Sequence, residues 1–270
     1  MSTITTVIPA KNEEKNIERC LKSVLWCDKV IVLWMGSDRT GEIAKSLGAE
    51  VVPLSETTWG KDDFIAVQKN INWAIDNIKT DWMLRIDADE VVTDELKKEI
   101  VAKTFEVFPS PDVTSGSSLT SKVNIVAYGI PRAQYFWGGF LKGGDWAYDR
   151  LVRLFRPKYC RYEPLVTVHE QFKVNGQVSY LKNKLLHYSH PTLKDAIDKF
   201  QKYTDIEIND LKETKISAAL KMIFLPPYIF LRWMLWHQGW KDGLRGIIAG
   251  SFRGWYEYLL YFKYLKKKIK

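Results

Sequence analysis

In the first hundred residues, short apolar runs alternate with stretches whose apolar positions recur at helical spacing, and few folds accommodate that alternation. Residues 4–9, 29–34, 50–53 and 82–86 read as strands. Between the first two, Ile17, Cys20, Leu21, Val24 and Leu25 lie on one helical stripe. A second helix starts near Thr40, carries Ile43, Ala44 and Leu47, and stops at Gly48. A third covers residues 64–78, with Val67, Ile71, Ala74, Ile75 and Ile78 along one face. Strand and helix in this series predict a parallel sheet covered by helices, because each parallel connection must cross back over the sheet. With 270 residues, 46% of them hydrophobic, the chain can fill such a core.

The remainder is more varied. Residues 109–122 are rich in Pro, Ser, Thr and Gly and read as a loop, after which strand-like pieces return at 123–131, 151–155, 165–168 and 177–181 as a smaller mixed sheet. Thr192 is placed to cap a helix carrying Leu193, Ala196, Ile197, Phe200 and Tyr203. Residues 223–236 are apolar and aromatic, but Pro226 and Pro227 are expected to break them and Arg232 interrupts them, which makes the run too short to span a bilayer. With Trp233, Trp236, Trp240 and Trp255 beside basic residues, this region reads as an anchor lying in the headgroup layer, or else as a helical hairpin packed on the domain. The organisation expected is one domain over 1–190, with parts at 1–105 and 123–190, followed by a helical membrane-interface extension at 191–270.

A formal charge of +8 suits nucleic acid, anionic lipid or a polyphosphate ligand alike, but five lysines fall between Lys263 and Lys270, a tail suited to an acidic surface. No nucleic-acid module surrounds that tail, so nucleic acid is set aside as a partner. Cys20, Cys27 and Cys160 are odd in number, fit no CxxC pattern and point to a reducing compartment. Residues 1–9 carry no secretory leader pattern, so a cytoplasmic protein, peripheral on the inner face of the cell membrane, is expected.

The chemistry centres on Asp87-Ala88-Asp89-Glu90, directly after the apolar strand 82–86. Ligands of open parallel sheets bind beyond the carboxyl ends of the strands. Two aspartates two residues apart there supply hard oxygens for Mg²⁺ or Mn²⁺ bridging a diphosphate, although an acidic turn before a helix at Thr93 would use the same residues. Pro9-Ala10-Lys11-Asn12-Glu13-Glu14 closes the first strand and Gly36-Ser37-Asp38-Arg39-Thr40 follows the second. Each alone reads as a turn with a helix cap.

Taken in order, these segments resemble the inverting family 2 glycosyltransferases, in the branch related to lipopolysaccharide core β-glucosyltransferases. The likeness is carried by residues 8–21, by Ala66-Val67-Gln68-Lys69-Asn70, by Ile86 and the Asp-Ala-Asp-Glu that follows it, by Arg153-Leu154-Phe155-Arg156, by Val168-His169-Glu170 and by Leu186-His187-Tyr188. The resemblance implies an α/β GT-A fold, a Rossmann-like mixed sheet with flanking helices and a C-terminal amphipathic helical region. It also implies a nucleotide-diphosphate sugar donor, with a UDP-sugar favoured, a divalent metal, and inversion at the anomeric carbon. By position, Pro9, Ala10, Asn12 and Glu13 would meet the nucleoside with Asp38 near it, Asp87 would hold ribose or diphosphate, and Asp89 the metal. Lys69 would reach the phosphates or stay solvated. Arg153 and Arg156 would contact phosphate or seal the site by ion pairs. His169 would ligate the metal or diphosphate or act structurally. Trp34 stands where the family carries a base-reading aspartate; it would stack on a base or serve as core. The base for the acceptor hydroxyl would be Asp149, in the Gly143-Gly144-Asp145-Trp146-Ala147-Tyr148-Asp149 segment, or Glu170.

The expected function is transfer of a sugar to a lipid-linked or envelope glycolipid acceptor at an anionic membrane surface, with an oligomer left open. Two other readings compete. A nucleotidyltransferase would bring a glycine-rich basic loop after the first strand, and here that loop is acidic and glycine-free. A non-catalytic membrane-associated GT-A protein is favoured by Trp34 and opposed by Asp87, Asp89, Asp149 and Glu170.

Overall fold

The structure is a computed structural model that describes residues 2–54, 63–105, 125–163 and 172–269. In chain order the elements are β1 (Ile4–Ala10), α1 (Ile17–Lys22), β2 (Lys29–Trp34), α2 (Thr40–Ser46), β3 (Glu50–Pro53), α3 (Asp63–Asn77), β4 (Trp82–Arg85), β5 (Glu90–Val92) and α4 (Asp94–Phe105). There follow β6 (Ile125–Phe136), β7 (Gly139–Phe140), β8 (Arg150–Phe155), β9 (Cys160–Tyr162), β10 (Phe172–Val174), β11 (Gln177–Tyr180), β12 (Leu185–His190), α5 (Leu193–Glu207), α6 (Lys215–Leu231) and α7 (Leu244–Ile269). The loop expected at 109–122 and the strand at 165–168 lie outside the described residues. Two compact units divide the chain. The first is Met1–Pro131 with Arg150–Leu185; the second is Arg132–Asp149 with Leu186–Lys270.

In the first unit the strands run in the order β3-β2-β1-β4-β8-β6. The first four are parallel, and β8 enters antiparallel to both β4 and β6. The α/β mixed sheet expected from the sequence is therefore present. Side-chain alternation sorts its core into two layers. Ile4 and Ile8 of β1, Val32 of β2 and Leu84 of β4 pack with Ile17, Leu21, Leu96 and Ile100 of the helices on one face. Val7, Ile31, Leu33 and Met83 pack with Ile71, Ala74 and Ile75 of α3 on the other. A sheet covered on both faces explains why every residue of β1 and β4 is buried. Gly48 takes φ +84°, the left-handed conformation that ends α2.

The second unit is mainly helical. Thr192 caps α5 through a capping box with Asp195, as its sequence predicts. The outcome differs for α6, because Pro226 and Pro227 lie inside it and the helix continues as a π-helical turn over Arg232–Trp236. The two prolines remove two ladder donors, and a wider turn follows them without ending the helix. α7 presents Gly246, Gly250 and Gly254, one helical face, to this segment. A Cβ at those positions would come within 1.9 Å of the Gly239 carbonyl, 2.7 Å of the Trp233 ring and 2.9 Å of the Pro226 carbonyl. The contact is backbone to backbone with α6 at Gly254, while Gly250 receives the Trp233 ring and Gly246 the turn at Gly239.

Candidate functional site

Two loops at the carboxyl ends of β1 and β2 are knitted together. Asn12 adopts φ +57°, and its side-chain oxygen accepts from the Ser37 amide at 3.1 Å. The Glu13 amide donates to the Thr40 hydroxyl at 2.9 Å and the Glu14 amide to Asp38 at 3.0 Å. Asp38 also accepts from the Thr40 hydroxyl at 2.6 Å and the Thr40 amide at 3.1 Å. Burial opposes its charge, but the Thr40 hydroxyl and these amides outweigh burial and hold its carboxyl below the ordinary value of 3.8. Asn12 is thus a loop clamp rather than a helix cap. α1 starts only at Ile17, after a turn in which the Glu13 carbonyl accepts from the amides of Asn16 and Ile17. A Cβ at Gly36 would lie 2.5 Å from the Asn12 oxygen, so the close approach of the two loops requires glycine there. Pro9 and Ala10 are buried at the end of β1, beside Leu33 and Trp34 of β2. Trp34 is half-buried against the core, and its ring lies where a Cβ at Gly41 would come within 2.8 Å.

Beyond β4 the chain makes a charged corner. Arg153, 1% exposed, donates from Nη2 to Asp87 at 2.5 Å and to Glu90 at 3.3 Å. Arg85, also buried, reaches the other Asp87 oxygen at 3.3 Å and the Tyr162 hydroxyl at 2.8 Å. Fully buried Glu90 accepts the Asp87 amide at 2.8 Å, closing the turn that carries Ala88 and Asp89. Arg153 is therefore turned into an ion-pair network with Asp87, whereas Arg156 lies 4.8 Å from the Trp82 ring centre. Asp89 is half-exposed in the same turn. The field of the corner reaches the Cys20 thiol. Burial first, then the carboxylates of Glu90, Asp89, Asp87 and Glu13, raise it well above its ordinary value.

Among the described residues no three His, Cys, Asp or Glu side chains gather as a metal ligand set. A half-exposed carboxylate such as Asp89 still fits Mg²⁺ or Mn²⁺, ions often held by one or two carboxylates plus substrate phosphates and water. Lys69 stands exposed on α3, next to buried Gln68 and Asn70. His169 and Glu170 lie outside the described residues.

Asp149 belongs to the second unit. Its Oδ2 accepts from Arg132 Nε at 2.8 Å, from Arg132 Nη2, and from Gln134 at 3.3 Å. The Gly-Gly ahead of it has a packing cause. A Cβ at Gly144 would meet the Trp233 ring at 2.2 Å, and the Lys142 and Gly143 amides both donate to Asp242. Trp146 of that loop stacks on His190 with centroids 5.3 Å apart.

Residues 5–116 match the family model described as Glycosyl transferase family 2. Over 262 residues the protein is 26% identical to the lipopolysaccharide core biosynthesis glycosyltransferase LpsC of Rhizobium meliloti, covering 95% of this chain and 89% of the relative. It is 27% identical over 262 residues to the uncharacterized glycosyltransferase RT0209 of Rickettsia typhi, covering 90% and 82%. Among solved structures, S. aureus TarS superposes with a TM-score of 0.47 at 14% identity, covering 90% of this chain and 46% of that one. Glucosyl-3-phosphoglycerate synthase from Mycobacterium tuberculosis, in complex with Mn²⁺, UDP and glucosyl-3-phosphoglycerate, gives 0.31 at 25% identity, covering 51% and 45%.

Among the residues that match the family model the two clamped loops bring Asn12, Glu13 and Asp38 together, and the charged corner joins Asp87 of that stretch to Arg153 beyond it. Arg85 was not singled out from the sequence, and Glu90 and Thr40 were named within their motifs without roles of their own. A signal for Arg85 was available, since an arginine inside the apolar run Trp82-Met83-Leu84-Arg85-Ile86 must find a buried partner. For Thr40 none was, because it reads as the first residue of an ordinary helix.

Proposed function

We propose that this chain is an inverting glycosyltransferase that moves a sugar from a nucleotide-diphosphate donor, a UDP-sugar favoured, to a lipid-linked or envelope glycolipid acceptor at the cytoplasmic face of the membrane. The observation that carries this reading is the Asp87–Glu90 corner. Arginines immobilise Asp87 and Glu90 there, and Asp89 stands half-exposed beyond the end of a central parallel strand. On this reading residues 1–105 bind donor, 123–190 serve the acceptor and 191–270 meet the membrane.

The roles follow from chemistry. The clamped loops, through Pro9, Ala10, Asn12, Glu13 and Asp38, form a rigid wall for the nucleoside, and Trp34 offers a ring rather than an acceptor atom beside it. Asp87, oriented by Arg153 and Arg85, accepts from ribose hydroxyls or lies beside the diphosphate, and Lys69 neutralises phosphate charge. Asp89, with His169, would hold Mg²⁺ or Mn²⁺; when bound, such an ion neutralises the departing nucleotide diphosphate. The acceptor hydroxyl loses its proton to Asp149 or Glu170 as its oxygen attacks the anomeric carbon opposite the leaving group. Arg132 and Gln134 fix the Asp149 carboxylate and so orient it. The role of LpsC in lipopolysaccharide core biosynthesis supports an envelope glycolipid as acceptor.

The test is thermal shift with UDP, with and without Mn²⁺, followed by transfer assays over a donor panel. The full chain should be stabilised by UDP only with metal, and Asp89→Ala should lose both that stabilisation and transfer while keeping its own Tm. Asp149→Asn or Glu170→Gln should cut turnover by roughly 10² and spare donor binding. Metal-independent UDP binding, or full transfer in EDTA, would remove the metal from the mechanism. No UDP binding at all would favour the non-catalytic reading.

A further inference from the structure

The second unit turns an apolar face outward along α6 and the turn after it. Ile216, Leu220, Phe224, Leu231, Leu235 and Trp236 fall at helical spacing on that face, and each is more than half exposed. Trp240 and Leu244 extend it beyond the turn. The helical segment from Lys215 to Trp236 has 22 residues and a mean hydropathy of 1.3, with 17% of its most apolar stretch buried. Its length, roughly 33 Å at 1.5 Å per residue, matches a membrane crossing. Its other side does not. There Ala218, Ile229 and Trp233 are buried, Arg232 pairs with Asp145 at 3.1 Å, Lys221 pairs with Glu213 at 2.5 Å, and the glycines of α7 close on the backbone. Lipid has access to one flank only, as in a helix lying within the interface rather than through it.

Charge selects the occupant. Between Lys215 and Lys268 the exposed ionised side chains are all lysines: Lys215, Lys241, Lys266, Lys267 and Lys268. The two carboxylates in that span are engaged, Asp242 by the Lys142 and Gly143 amides and Glu257 by Arg253. An apolar, tryptophan-bearing face in a segment whose exposed charges are all positive complements an anionic headgroup layer, whereas a second copy of the segment would bring like charges together. Lysines alone do not make this surface. Lys263 is held by α5, through the Gln201 carbonyl, the Thr204 hydroxyl and Asp205.

We propose that the outer face of α6, continued through Trp240 and Leu244, docks in-plane on an anionic lipid bilayer, with apolar contact supplying most of the hold and the lysines a smaller, salt-sensitive part. This deepens the acceptor side of the proposed function by naming the surface that would bring the enzyme to a glycolipid. The test uses the full chain with vesicles of phosphatidylcholine alone or mixed with phosphatidylglycerol. The parent should float with mixed vesicles and retain part of that binding at high salt. The triple variant Leu220→Asp/Phe224→Asp/Leu235→Asp should bind more than about tenfold more weakly. Lys266→Gln/Lys267→Gln/Lys268→Gln should lose only the salt-sensitive part. In case the aspartates disturb folding, Trp236→Phe/Trp240→Phe keeps the face apolar and should reduce quenching of the protein's fluorescence by brominated lipid. Flotation of the aspartate variant at the parent's level would overturn the proposal. So would a parent that never floats but forms a dimer which the aspartates dissociate, the result expected of a subunit interface. Metal-dependent UDP binding, measured alongside, reads the transferase function separately.

Discussion

The Asp87–Glu90 corner and the outer face of α6 both depart from the usual distribution of polarity, in opposite directions. At the corner Arg85, Arg153 and Glu90 are withdrawn from water, each with a charged partner. On α6 leucines, a phenylalanine and a tryptophan are left in it. Buried charge and broad exposed apolar surface both oppose stability, so neither is explained by folding alone. The corner holds carboxylates in fixed positions at the end of a strand; the helix presents an apolar surface left exposed among the described residues.

The comparison breaks most sharply at Arg153. Arg153→Ala would leave Asp87 and Glu90 facing each other without their shared cation, and removal of one member of a buried ion pair costs about 3–5 kcal/mol. Urea denaturation should show that loss; a change below about 1 kcal/mol would mean that water or Arg85 takes over the pairing. On the helical side, Gly250→Leu should cost about 1–3 kcal/mol by driving a side chain into Trp233, while Ser251→Leu, on exposed surface one residue on, should stay within about 0.5 kcal/mol. Equal effects at the two positions would mean that α6 and α7 do not pack as described, and α6 would then be free to meet lipid all round. The smallest effect concerns Asp38. Its folded pKa is lowered, so the bonds to its charged form add stability above the ordinary value of 3.8 and that increment is lost as pH falls through the lower folded value. Asp38→Asn should flatten the acid limb of a stability-pH profile. An unchanged limb would mean that the two loops hold together without that charge.

The strands β1 to β4 were legible before any coordinates, within a residue of their ends, because the alternation that marks them is set by near neighbours. So was Thr192 as the cap of α5, a bond spanning three residues. The Asp-Ala-Asp-Glu run was legible as a place for chemistry, since a strand's carboxyl end is defined locally. What Asp87 does within that run was not, for its partner Arg153 lies 66 residues away and arrives only because β8 pairs antiparallel with β4. The same holds for Gly143 and Gly144, which the sequence offers only as part of the segment leading to Asp149 and which the packing of Trp233 and Gln238 requires. Pro226-Pro227 reads as a helix stop from local propensity alone, yet the helix runs on, with Gly250 and Gly254 of a later helix packed closely against it. Periodicity and caps are properties of a few consecutive residues and survive in the sequence. Ion pairs, close helix contacts and exposed faces depend on which distant segments meet, and that was decided when the chain packed.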